Sequence, residues 1–167
     1  IYHGLTYGQQ AASLGNGRNA STALALSDEV FVINSFSKYF GMTGWRLGWL
    51  VAPPRFVRDI EKLAQNLFIS PSSPAQHAAL AAFLPETIAE LEMRRREFQE
   101  RRDYLLPALQ SLGFRITAKP SGAFYLYADC SEIAPDSDAL TRVLLEEAGI
   151  AITPGLDFGT NAPQRHV

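Results

Sequence analysis

Apolar and polar positions change period several times along this chain, and each change marks an element. Val30-Phe31-Val32-Ile33 is a short unbroken apolar run, the pattern of a strand buried on both faces of a parallel sheet. A second strand is expected over Arg46-Leu47-Gly48-Trp49-Leu50-Val51-Ala52, stopped by Pro53-Pro54 because proline brings no N–H to a ladder. Phe56, Val57, Ile60, Leu63, Ala64 and Leu67 then recur at helical spacing, predicting an amphipathic helix. The turn-rich Ser70-Pro71-Ser72-Ser73-Pro74 follows. Ser73 is placed to cap a further helix, with Pro74 at its first position.

Pro85 opens a long predicted helix running to about Leu112, with Ile88, Leu91, Phe98, Leu105, Leu109 and Leu112 on its buried stripe. Gly113 is expected to close it in the left-handed conformation. The same helix carries Arg94-Arg95-Arg96 and Arg101-Arg102, with acids at helical spacing: Glu90 to Arg94, Glu92 to Arg96, Glu97 to Arg101. That is the pattern of a solvated face rather than of a nucleic-acid site. Residues 114–117 and 123–128 read as strands around the turn Lys119-Pro120-Ser121-Gly122. Leu140, Val143 and Leu144 mark a short helix ended by Gly149, and Ile150-Ala151-Ile152 reads as a last strand. Residues 11–27, rich in Ala, Ser, Gly and Asn, read as a loop. This order suggests a small α+β unit attached to a piece of an α/β sheet.

Composition narrows the function classes. Of 167 residues, 47% are hydrophobic and the net charge is −2. Such a balance is expected of a soluble globular protein and gives no electrostatic case for nucleic acid or an anionic membrane. No apolar run approaches the roughly 20 residues of a membrane-spanning helix. The single Cys130 excludes an intrachain disulfide and suits a reducing, cytoplasmic setting. It reads as a small buried hydrophobe. His3, His77 and His166 are scattered, so no metal site is expected. The chain opens on Ile1-Tyr2-His3-Gly4 without Met and closes on Gln164-Arg165-His166-Val167, which reads like the start of a strand. An excised part of a longer chain is expected.

The chemistry concentrates in Ser35-Phe36-Ser37-Lys38-Tyr39-Phe40-Gly41-Met42-Thr43-Gly44-Trp45-Arg46. An amine can form an imine with a carbonyl, while hydroxyls and a guanidinium can hold a phosphate dianion through charge-assisted hydrogen bonds. Pyridoxal phosphate presents both an aldehyde and a phosphate. Of the lysines Lys38, Lys62 and Lys119, Lys38 alone follows a strand, where sheet edges present ligand-binding groups. Taken singly, Lys38 would be an ordinary loop lysine. Arg46, at the start of an apolar strand, needs an anion; Asp28 or Glu29 would serve as well as a phosphate. Ser35 to Lys38 also matches the S-x-x-K motif of penicillin-binding acyl enzymes, but the accompanying S-D-N and K-T-G elements are missing.

The whole segment through Leu47-Gly48-Trp49 resembles the lysine signature of class I/II aminotransferases, the fold-type I pyridoxal-phosphate enzymes. Ile1-Tyr2 is similar to the tail of that family's Asp-Glu-Ile-Tyr. Gly122-Ala123-Phe124-Tyr125 and Pro154-Gly155 with Phe158-Gly159 match its later motifs. The likeness spans nearly the whole chain. It implies an α/β plus α+β architecture: residues 1–52 from the large cofactor-binding domain and its partial sheet, 53–84 as interdomain helices, and 85–167 as most of the small domain. It implies that Lys38 holds the cofactor covalently and shuttles a proton, that Ser35, Ser37 and Arg46 bind its phosphate, and that Tyr2 hydrogen-bonds the ring's 3′-oxygen. Phe124 and Tyr125 would shape the small domain's side of the cleft.

The implied reaction is amino-group transfer between an amino acid and a 2-oxo acid, in a homodimer. The family's Asp that pairs with the pyridine nitrogen would fall two positions before Ile1, and its substrate-carboxylate arginine just after Val167. Arg165 would substitute only with a slipped register. The aromatic that stacks on the ring also falls outside, so these 167 residues alone are expected to be inactive. Rival expectations are another fold-type I activity, such as a carbon–sulfur lyase or an aminocyclopropane-carboxylate synthase, and the aminotransferase-like effector domain of a transcription regulator.

Overall fold

The structure is a computed structural model that describes residues 1–8 and 22–167. Most of the loop expected over 11–27 therefore lies outside the described residues. From residue 22 onward that segment opens a 3-10 turn, Ala23–Ala25, capped by the Thr22 hydroxyl, which accepts from Leu24 N–H at 3.3 Å.

Two strands form, β1 (Val32–Ser35) and β2 (Gly48–Val51), paired antiparallel with Ser35 opposite Gly48 and Val32 opposite Val51. The expectation of a parallel strand buried on both faces is thus corrected. β1 begins two residues later, its Ile33 is 76% exposed, and all of β2 is exposed. An unbroken apolar run reports a preference for extended, coverable backbone; it carries no information about the direction of the neighbouring strand. At Gly48 the pairing admits no side chain, because a Cβ there would sit 2.6 Å from the Asn34 carbonyl oxygen.

Helix α1 (Pro54–Leu67) starts on Pro54, whose fixed φ and missing N–H suit a first helical turn. In α2 (Ser73–Ala81) the capping residue is Ser72, without a side-chain bond, so Ser73 and Pro74 both lie inside the first turn. The expected Ser73 cap is shifted by one residue, since proline is tolerated anywhere its N–H would be orphaned. Helix α2 turns Ala75 and Ala79 inward. Ala79 joins Phe36, Met42 and Ala82 in a core flanked by Phe40, Leu47 and Ala78. Phe36 meets Phe40, Trp49 and Phe83 at ring separations of 4.9, 5.1 and 5.8 Å, the tilted and edge-on distances that aromatic quadrupoles favour.

Helix α3 (Pro85–Ser111) ends as its sequence predicts: Gly113 takes φ +97°, and Phe114 N–H reaches back to the Leu109 carbonyl at 3.1 Å. Helix α4 (Ser137–Ala148) is bracketed by Asp136, whose carboxylate accepts from Ala139 N–H at 2.8 Å, and by Gly149 at φ +66°.

The described residues form two compact units, Ile1–Glu97 with Ser121–Ala123, and Phe98–Pro120 with Phe124–Val167. Residues 121–123 join the first through paired bonds, Tyr7 N–H to Ser121 O and Ala123 N–H to Leu5 O, both 2.8 Å. In the second unit the strands expected over 114–117, 123–128 and 150–152 do not form among the described residues. Single bridges take their place, Arg115 with Asp129 and Asp129 with His166. A ladder needs successive paired positions, and the apolar pattern specifies extension without supplying a neighbour.

Candidate active site

The lysine segment connects β1 to β2 and is held by its own hydroxyls. Ser37 N–H donates to Ser35 Oγ at 3.0 Å, and Ser35 Oγ–H donates to Ser37 Oγ at 2.9 Å. Thr43 Oγ1–H donates to the Ser37 carbonyl at 2.7 Å, and Arg46 Nη1–H donates to the Thr43 carbonyl at 3.0 Å. Gly41, at φ +66°, lets the chain reverse so that its N–H meets the Lys38 carbonyl at 3.0 Å. Ser35, Ser37 and Arg46 are therefore tied into one hydrogen-bonded turn through Thr43, a residue the sequence pattern did not single out.

Arg46 differs from expectation. It lies before β2, exposed and left-handed at φ +51°, rather than desolvated inside a strand. Burial does not demand an anion here. Glu29 pairs with Arg55, and among the described residues no carboxylate pairs with Arg46.

Lys38 is half-buried, and its Nζ stands 5.9 Å from the centroid of the Tyr2 ring. Tyr2 is itself half-buried and opens a turn in which Leu5 N–H donates to the Tyr2 carbonyl at 2.9 Å. Two residues remote in sequence are thus brought together.

In the second unit Phe124 packs against Phe98 and Tyr125, at ring separations of 5.7 and 4.8 Å. Arg165 is committed to Asp129 at 2.9 Å, whose carboxylate also accepts from Arg115 at 2.8 Å. The Ser131 hydroxyl and backbone N–H, and then Arg115, hold the Asp129 carboxyl well below the usual carboxylate range. Burial raises the Cys130 thiol above its ordinary value.

Beneath the lysine turn lies a polar cluster that sequence reasoning missed. Tyr39 O–H donates to Glu92 Oε1 at 2.7 Å, and Arg95 Nε–H donates to Glu92 Oε2 at 2.9 Å. Arg95 Nη1–H reaches the Thr6 carbonyl at 3.0 Å. The Arg95 and Glu92 side chains are only 8% and 16% exposed, so the solvated-face expectation fails here. Glu92 pairs with Arg95, not Arg96; Arg94 keeps its expected exposed pairing with Glu90. The available signal was phase, since Arg95 continues the buried stripe of Ile88, Leu91 and Phe98. Burial, and then the bond to Glu92, push the Tyr39 phenol well above its usual value and keep it a donor.

A profile of the family described as aminotransferase class I and II matches residues 1–166. The chain belongs to that family. This aminotransferase-family chain is 42% identical over 160 residues to the valine–pyruvate aminotransferase of Mycobacterium tuberculosis, covering 96% of the chain and 39% of that protein. It is 36% identical over 147 residues to the aspartate/prephenate aminotransferase of Thermus thermophilus, covering 87% and 38%.

A crystal structure of an aminotransferase from Mycobacterium tuberculosis overlays at TM-score 0.89 and 40% identity, over 99% of this chain and 41% of that one. The fold is accordingly part of the fold-type I aminotransferase architecture, as the resemblance implied. The chain spans about two fifths of the length of the curated relatives it matches. Among the described residues no helix is long and apolar enough to cross a membrane, and no group of three or more His, Cys, Asp or Glu side chains gathers to hold a metal.

Proposed function

We propose that this chain carries the lysine side of a pyridoxal-phosphate site, and that the whole protein transfers an amino group between an amino acid and a 2-oxo acid. The observation that supports it most is the hydrogen-bonded turn from Ser35 through Ser37 and Thr43 to Arg46, with Lys38 inside it beside Tyr2.

The donor set fits the group. The Ser37 hydroxyl accepts from Ser35 at 2.9 Å and keeps its own hydrogen for a phosphate oxygen, and the exposed Arg46 guanidinium offers further N–H donors to a dianion. Ser35, Ser37 and Arg46 would hold the phosphate, Lys38 the aldehyde carbon, and Tyr2 would donate its hydroxyl hydrogen to the 3′-oxygen. When bound, pyridoxal phosphate supplies the electron sink for a carbanion at the substrate Cα. Once the substrate amine has replaced it on the aldehyde carbon, the freed Lys38 amine would serve as general base, taking the proton from that Cα and holding it at Nζ.

The division at residues 52 and 84 into large-domain, interdomain and small-domain segments belongs to this proposal, as do a cytoplasmic homodimer and the inactivity of these 167 residues alone. The exposed apolar side chains of β1 and β2, Ile33, Trp49, Leu50 and Val51, support a larger folded partner surface around the site.

The test is an absorbance scan of the full-length protein with pyridoxal phosphate, followed by borohydride reduction and peptide mapping. The expected result is an imine band that reduction fixes on Lys38. A label on Lys62 or Lys119 instead would defeat the assignment. Imine formation without keto-acid-dependent turnover would favour the lyase, synthase or effector-domain alternatives.

A further inference from the structure

We propose that Glu92 and Arg95 of α3 are positioning residues that fix Lys38 relative to Tyr2 by clamping the two segments that bear them. This rests on the cofactor reading above and adds the device that sets its geometry. Neither residue touches the reacting groups; each acts through a neighbour.

Two connections converge on the pair. On one side Tyr39, adjacent to Lys38 in the chain, donates to Glu92 at 2.7 Å from a ring only 5% exposed. On the other side Arg95 donates to the carbonyl of Thr6, in the same short segment as Tyr2. The Glu92 carboxylate joins the two by accepting from Tyr39 on one oxygen and from Arg95 on the other.

A direct contact closes the circuit, because Gly4 lies against the Tyr39 ring. Rotation of the Tyr39 ring, loss of the carboxylate or loss of the guanidinium would each release one segment from the other. A buried ion pair is by itself weak grounds for stability, since desolvation offsets the attraction. What this one supplies is a fixed register between a loop and a chain segment that share no strand ladder.

The experiment is competitive labelling of the full-length protein. It is treated briefly with pyridoxal phosphate, reduced with borohydride, and mapped at Lys38, with Lys62 and Lys119 as controls on the same chain. Tyr39→Phe keeps the ring and removes only the donor; Glu92→Gln keeps the shape and removes the charge. Both are expected to lower the ratio of Lys38 to Lys62 labelling about tenfold, below the hundredfold that an ångström of misplacement can cost.

Lys62 and Lys119, both exposed, should label as in wild type and serve as internal references. Hydrogen exchange at the Leu5 and Gly41 amides, which close the turns after Tyr2 and Lys38, should quicken in both variants. An unaltered Lys38 to Lys62 ratio in Tyr39→Phe would overturn the inference while leaving the cofactor reading intact. A wild-type protein whose Lys38 is labelled no faster than Lys62 would overturn both.

Discussion

Gly4 and the ring of Tyr39 are in such close contact that a Cβ built on Gly4 would sit 2.7 Å from two ring atoms. The glycine also holds φ +97°, a region that residues with a side chain rarely adopt. The contact ties the segment of Tyr2 to the residue next to Lys38.

Gly4→Ala should therefore destabilise the protein by about 2–4 kcal/mol, from overpacking together with backbone strain. A urea titration followed by tryptophan fluorescence reads this directly. A midpoint equal to wild type would show that the ring yields freely and that the contact fixes nothing.

Arg46 and Ser37 should differ in weight if they hold a phosphate. Arg46→Ala is expected to weaken pyridoxal phosphate binding by about ten- to a hundredfold, the worth of a hydrogen bond to a charged group. Ser37→Ala should cost about three- to tenfold. Binding of pyridoxal, which lacks the phosphate, should respond to neither substitution. Titrating both ligands against each variant separates phosphate recognition from general damage.

Neighbouring arginines on α3 should behave differently. Arg95→Ala leaves the half-buried Glu92 carboxylate with Tyr39 alone and should cost about 3 kcal/mol. Arg94→Ala breaks only an exposed pair with Glu90 and should stay within about 0.5 kcal/mol of wild type. Equal losses in denaturant midpoint would contradict the burial of Arg95.

Asp129 predicts the sign of an acid effect. Its carboxyl titrates below the ordinary value in the fold, so as pH falls the unfolded chain takes up that proton first. The stabilisation from its bonds to Ser131 and Arg115 is complete above about pH 4 and is lost as pH falls further. Asp129→Asn should lower stability at neutral pH and flatten its decline in acid. Denaturant midpoints measured between pH 6 and pH 3 check both features; parallel curves would refute the account.

Where the sequence was legible, the controlling interactions were local. Helix α4 is closed by Gly149 and α3 by Gly113, as their sequences predict, because caps act within a turn or two of backbone. The lysine turn was legible for the same reason, its hydroxyls, glycines and arginine lying within twelve consecutive residues. The strands were less so. The antiparallel pairing of β1 and β2, and the reduction of the later strands to single bridges, depend on which backbone lies alongside. Arg95 is not legible from its charge, because its phase on α3, on the face of Leu91, sets its burial.

By itself, the order of residues determined the helices, the glycine closures of α3 and α4 and the chemical content of the Ser35 to Arg46 turn, all governed by groups a few bonds apart. Only the tertiary structure decided that Tyr2 would stand 5.9 Å from Lys38, and that Glu92 and Arg95 would be buried beneath them. Those placements bring together segments separated by dozens of residues. Their geometry is set by simultaneous packing and hydrogen bonding, which no local spacing encodes.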